Sequence, residues 1–131
     1  MKPNVTLYDF KEIIALFEED GKAPVHARID MGRLFIEGKD NELMLRLNHY
    51  TKRLVIARIK FRHGRKGYGG KLLEILKLYG QSNGYEMISI ESVSTQEAVS
   101  FALKHGFYKE RLPFLIEDEE TDLFCNYHLN I

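Results

Sequence analysis

Arg62-His63-Gly64-Arg65-Lys66-Gly67-Tyr68-Gly69-Gly70-Lys71 joins two segments of opposite character. Before it, Leu54 to Phe61 begins almost wholly apolar, as a central strand does. After it, Leu72, Ile75, Leu76 and Tyr79 recur at helical spacing opposite Lys71, Glu74 and Lys77, which predicts an amphipathic helix with Leu76 in the core. The junction is therefore strand, glycine loop, helix start. Glycines let a backbone approach a ligand closely, and the unpaired N–H groups of a helix start favour an anion. The charge agrees. Between residues 51 and 80, Lys52, Arg53, Arg58, Lys60, Arg62, Arg65, Lys66, Lys71 and Lys77 face only Glu74.

Two common phosphate loops fail on named residues. A Walker A loop needs a hydroxyl after Gly70-Lys71, and Leu72 has none. A dinucleotide fingerprint needs a third glycine where Leu72 stands. The plain alternative is a tight turn with a solvated basic rim.

Working outward, Phe10, Ile13, Ile14 and Phe17 predict a helix from about Leu7 to Glu19. Thr6 and Asp9 are spaced as a capping box, and Gly21 is the expected stop. Val25 to Met31, Leu34-Phe35-Ile36 and Leu43 to Leu47 alternate as half-buried strands, separated by turns near Gly32 and Gly38 to Asn41. Beyond the basic helix, which should end near Gly80 to Gly84, Tyr85 to Val93 reads as a strand. Thr95 to His105 reads as a helix capped by Ser94 and stopped by Gly106. Phe107 to Glu110 and Leu123 to Leu129 read as closing strands. The expected class is α/β (an α+β mixed sheet): an antiparallel meander, then a parallel strand pair with flanking helices.

The 131 residues carry 19 basic and 19 acidic side chains, 44% hydrophobic residues and one cysteine, Cys125. One domain spanning residues 1–131 is expected. The balanced charge gives no global argument for nucleic acid or membrane, and a lone cysteine excludes an internal disulfide. No membrane span or secretory signal is evident, which makes the cytoplasm the expected location. The five histidines show no close ligand spacing, so no metal is expected.

Gly67-Tyr68-Gly69-Gly70-Lys71-Leu72-Leu73 after a strand resembles the acyl-CoA pyrophosphate loop of the GNAT superfamily of N-acetyltransferases. A second match follows in order. Ala98, Phe101 and Gly106-Phe107 stand where that family has an Asn-x-x-Ala-x-x-Phe-Tyr-x-x-x-Gly-Phe segment. The similarity covers about residues 43 to 110. It implies that strands Leu54–Phe61 and Tyr85–Val93 splay apart around the thioester of acetyl-CoA. The backbone of Ile59, Lys60 and Phe61 would pair with the pantetheine. The amides of Arg65, Lys66, Gly67, Tyr68, Gly69 and Gly70 would hold the pyrophosphate, with Lys66 and Lys71 adding charge. Thr95 stands at the family's asparagine, and Phe101 would supply an apolar contact. Three positions depart from the pattern: Gly64 replaces Gln or Arg, Thr95 replaces Asn, and Ala102 replaces the tyrosine that commonly protonates the leaving thiolate.

Direct transfer to an amine needs a base and a stabilised oxyanion. Glu91, ending an apolar strand beside the expected thioester, is the candidate base; an ion pair with a nearby arginine is its plain alternative. Tyr108 and Tyr127 are candidate acids in place of Ala102, although such tyrosines more often serve packing. Cys125 reads as packing. Glu117-Asp118-Glu119-Glu120 reads as an acidic turn able to attract a cationic amine. Bulk at Gly67 or Gly69 should enter the cofactor's space and leave the fold intact.

The resemblance implies an acetyl-CoA-dependent N-acyltransferase acting on an amine of a small molecule, peptide or protein. A CoA-binding sensor or interaction module without turnover is the alternative, supported by Ala102 and a short N-terminal region. A nucleic-acid surface ranks below both, because the basic residues concentrate at a helix start. Homodimerisation through edge strands is compatible with the family.

Overall fold

The computed structural model describes residues 5–64, 66–110 and 122–131. Arg65 and the acidic stretch at 117–120 lie outside the described residues. A 3-10 turn at Leu7–Phe10 leads into α1 (Lys11–Gly21), followed by β1 (His26–Asp30), β2 (Arg33–Glu37), β3 (Glu42–Asn48) and β4 (Arg53–Lys60). Then come α2 (Tyr68–Ser82), β5 (Met87–Val93), α3 (Gln96–Lys104), β6 (Tyr108–Lys109) and β7 (Cys125–Asn130). They form one seven-stranded sheet in the order β1-β2-β3-β4-β5-β7-β6. Only β4 and β5 are parallel among the strand pairs of that sheet. The expected mixed sheet, meander and parallel pair are all present.

Local chemistry sets the element boundaries. Asp9 accepts the Thr6 N–H at 2.9 Å, which supplies the carboxylate half of the expected capping box. Helix α1 runs two residues past the expected Glu19. The left-handed residue is Lys22 (φ 52°), not Gly21, whose Cβ position lies 3.2 Å from the Asn41 amide. Met31 and Gly32 both have positive φ and close the β1–β2 hairpin as a two-residue turn that follows the strand twist.

Helices α2 and α3, which follow β4 and β5, lie on one face of the sheet, where the Cβ position of Gly69 in α2 meets the Phe101 ring of α3. Leu34, Ile36, Leu43, Leu45, Leu54, Ile56, Ile88 and Tyr127 point into that face. They meet Phe10, Ile13 and Phe17 of the first helical segment, Leu72, Leu73 and Leu76 of α2, and Val99 and Ala102 of α3. Each large aliphatic side chain buried there contributes about 1.5–3 kcal/mol. The opposite face presents Met44, Arg46, Arg53, Val55, Ser89 and His128, and no described helix crosses it.

Candidate functional site

The parallel pair parts early. β4 and β5 stay in register only from Arg53↔Met87 to Ile56↔Ile90. Each strand has an irregularity just past that point. The β3–β4 register skips Ala57 as it passes from Met44↔Arg58 to Leu45↔Ile56. On β5 the register with β7 shifts between Ile90 and Val93, where Ser92 adopts φ 49° and its N–H goes to Asn126 Oδ1 at 2.9 Å. Bulges bend strands, and these two bend β4 and β5 apart. From Ala57 to Lys60 the β4 edge facing β5 has no strand partner among the described residues. Ile59 and Lys60 are exposed at that edge.

The end of β4 is fixed from below. Phe61 stacks between Phe17 of α1 (4.7 Å) and Tyr68 of α2 (5.8 Å), and the Tyr68 hydroxyl donates to Glu19 at 3.2 Å. The next two residues are held by Asp20, fully buried in the last turn of α1. Its carboxylate accepts the N–H of Arg62 (2.7 Å), the N–H of His63 (2.8 Å) and the Asn41 amide (2.9 Å). Burial pushes the Asp20 pKa up, but these hydrogen bonds outweigh it and hold the carboxyl below its ordinary value. His63 Nδ1 lies 2.8 Å from the Asp20 carbonyl oxygen; a carbonyl only accepts, so that nitrogen carries the proton.

The glycine loop then delivers the start of α2. Gly67 is the N-cap with φ 82°, and no side chain among the described residues caps the helix. The first internal bond is Lys71 N–H to Gly67 O, which leaves the N–H groups of Tyr68, Gly69 and Gly70 unused by the helix. A Cβ at Gly64 or Gly67 would meet nothing within 4 Å. Lys60, Lys66 and Lys71 form no ion pair among the described residues, whereas Arg58 pairs with Glu42 and Lys77 with Glu74. Three free donors, open backbone and two lysines without ion pairs among the described residues, Lys66 and Lys71, therefore stand at the start of α2, beside the β4–β5 gap. That arrangement suits a pyrophosphate.

Gly69 corrects the expectation drawn from the sequence. A Cβ there would lie 2.7 Å from the Phe101 ring, so bulk at this position strikes α3 and the ring must shift to admit it. Phe101 in turn packs on His105, with ring centroids 4.5 Å apart. The cap of α3 is also corrected. The helix starts at Gln96, and the Thr95 hydroxyl, not Ser94, accepts the Ala98 N–H at 3.1 Å.

The acid–base candidates are scattered. Glu91 is the first residue of β5 past the parting and is ion-paired with Arg46 on β3. Tyr127 is fully buried on the helix-covered face; burial raises its pKa, and its hydroxyl donates to the Asp122 carbonyl at 2.9 Å. Tyr108 is exposed on β6, its ring 5.7 Å from that of His128. Asp20 escaped sequence reasoning, although Glu18-Glu19-Asp20 at a helix C-terminus opposes the macrodipole and signals carboxylates bound elsewhere. A shallow depression of about 200 Å³ at the β2–β3 turn, lined by Glu37, Lys39, Asp40 and Lys60 among others, does not coincide with the gap.

No protein-family model matches the sequence, and no curated protein sequence matches it. Solved structures match in fold. A GNAT-family acetyltransferase from Staphylococcus aureus Mu50 aligns with a TM-score of 0.57 at 13% identity, covering 97% of this chain and 95% of that one. Tetrahymena GCN5 gives 0.57 at 18% identity, over 95% and 86% of the two chains. A Bacillus subtilis acetyltransferase solved in complex with CoA gives 0.51 at 15%, over 99% and 95%. The chain has the mixed α/β fold of GNAT-family acetyltransferases. No described helix is long and apolar enough to cross a membrane.

Proposed function

We propose that this chain is an acyl-CoA-dependent N-acyltransferase, with acetyl-CoA as donor and an amine as acceptor. The observation that carries the reading is the parting of β4 from β5 directly before an uncapped, lysine-flanked helix start. A strand edge can pair with the amides of an extended arm, and the helix start beyond it can hold the phosphates at that arm's end.

Ile59, Lys60 and Phe61 would offer the edge backbone. The amides from Arg65 to Gly70 would cradle the pyrophosphate, assisted by the Lys66 and Lys71 ammonium groups. Thr95 and Phe101, at the head of α3, would flank the arm. The bound thioester supplies an activated acyl carbon. The free N–H groups of β4 beyond Ile56 would stabilise the charge that develops on its carbonyl oxygen. Glu91, one residue past the parting, would accept the amine proton once its pairing with Arg46 is exchanged for the acceptor. Tyr108 is the exposed hydroxyl candidate for returning a proton to the thiolate.

A second reading, a CoA-binding module without turnover, draws on two observations. Ala102 is fully buried at the position of the family tyrosine, and the Tyr127 hydroxyl is committed to Asp122. Release of free CoA thiol from acetyl-CoA in the presence of an amine panel separates the two. Amine-dependent release that disappears in Gly67→Glu supports transfer. CoA binding without release for any amine supports the module.

A further inference from the structure

Three side chains outside the cofactor site meet on the helix-free face. Ser89 Oγ lies 2.7 Å from His128 Nδ1, and His128 Nε2 lies 2.7 Å from Glu110 Oε1. Their placement follows from strand register. Ser89 on β5 pairs with His128 on β7, and the Glu110 N–H bonds to the Asn126 carbonyl at 2.8 Å, which fixes Glu110 beside the same strand. A carboxylate only accepts, so in the neutral imidazole Nε2 carries the proton. Nδ1 is then the acceptor, and the Ser89 hydroxyl donates to it. This is a hydroxyl, a base, and a carboxylate that orients the base.

A fourth group faces the same side. Arg53 precedes Val55 by two residues on β4, and Val55 is the register partner of Ser89, so Arg53 stands diagonal to Ser89 on the same face. Its Nε is buried without a hydrogen-bond partner. A buried guanidinium N–H without an acceptor is costly, and a carbonyl oxygen bound beside Ser89 would satisfy it.

We propose that Ser89, His128 and Glu110 form an acyl-accepting centre, with Arg53 as the donor to the acyl oxygen and small activated esters or thioesters as substrates. Ser89 Oγ attacks the acyl carbon while His128 Nδ1 takes the hydroxyl proton. The bond from carbon to the leaving oxygen or sulfur breaks, and His128 returns the proton to that leaving group. Water, deprotonated by the same imidazole, then releases the carboxylic acid and restores Ser89. Ser89 is buried, 2% exposed, and opens to solvent only marginally. The gap, which begins at Glu91 two residues beyond it, is the approach along β5.

The probe is p-nitrophenyl acetate with the full chain, read by p-nitrophenolate release and by mass mapping of the protein. It contains no CoA, so its outcome is independent of the cofactor reading. The expected result is a stoichiometric burst with one acetyl group on the peptide holding Ser89, absent in S89A. His128→Asn should slow the burst about 100-fold or more. Ser89→Cys, which keeps a nucleophile of similar size, should carry the acetyl group as a hydroxylamine-labile thioester and guards against a folding defect in S89A. Acetylation confined to lysines or Cys125, or a burst unchanged in S89A, would overturn the proposal.

Discussion

The Asp20 carboxylate accepts the backbone N–H groups of both Arg62 and His63, at 2.7 and 2.8 Å, so the last turn of α1 fixes the exit of β4. That contact spans 42 and 43 residues of sequence and sets where the glycine loop begins. Replacing Asp20 by Ala strands two N–H groups and the Asn41 amide in a buried site. The expected cost is about 3 kcal/mol, with weaker CoA binding as the loop loses its support. Urea denaturation reads the first effect and calorimetric titration the second.

The same carboxyl sets an acid limit. Its pKa is lowered in the folded chain. A group depressed by folding contributes stability that is fully present above its unfolded pKa, about 4, and lost as pH falls through the folded value. The wild-type denaturation midpoint should therefore fall as pH drops below about 4. In Asp20→Asn this contribution should be missing from the pH dependence.

Gly69 and Phe101 should be energetically coupled. Gly69→Ala forces its methyl to within 2.7 Å of the ring position and should cost about 1–3 kcal/mol. With Phe101→Ala already in place the same change should cost markedly less. A double-mutant cycle by denaturant melts checks this, and additive costs would mean the two helix ends do not meet there.

Lys66 and Lys71 are exposed and form no ion pair among the described residues, so reversing their charge should leave stability within about 0.5 kcal/mol of wild type. CoA affinity should drop by about tenfold for each, more at low salt than at high salt. Leu76, fully buried on the inner face of α2, is the contrasting case. Leu76→Ala should cost about 2–5 kcal/mol in a urea melt while leaving the charge of the loop untouched.

Much of this arrangement was legible in the sequence because local patterns carried it. The alternation of Leu43, Leu45 and Leu47, and the helical spacing of Leu72, Leu76 and Tyr79, dictated elements and buried faces. The glycines before Leu72 marked the loop. What was not legible depended on register between distant segments. No local pattern shows that the Glu91 carboxylate reaches Arg46 across β4, or that a Cβ at Gly69 would meet Phe101. Ser89, His128 and Glu110 are separated by up to 39 residues and meet only because β7 inserts between β5 and β6. The caps show a finer limit: Thr95 takes the role expected of Ser94 because α3 begins one residue later.

On the proposed reading, the β4–β5 gap and the uncapped start of α2 bind an acyl-CoA. A thermal melt of the purified chain with CoA, acetyl-CoA, ATP or no ligand tests it most directly, with Lys66→Glu run in parallel. Ligand at a hundred times its Kd adds about 2.7 kcal/mol, a shift of several degrees for a chain of this size. Both CoA species should raise the Tm, by more than ATP does, and Lys66→Glu should need more CoA for the same rise. No rise with either CoA species at millimolar concentration, or an equal rise with ATP, would contradict it.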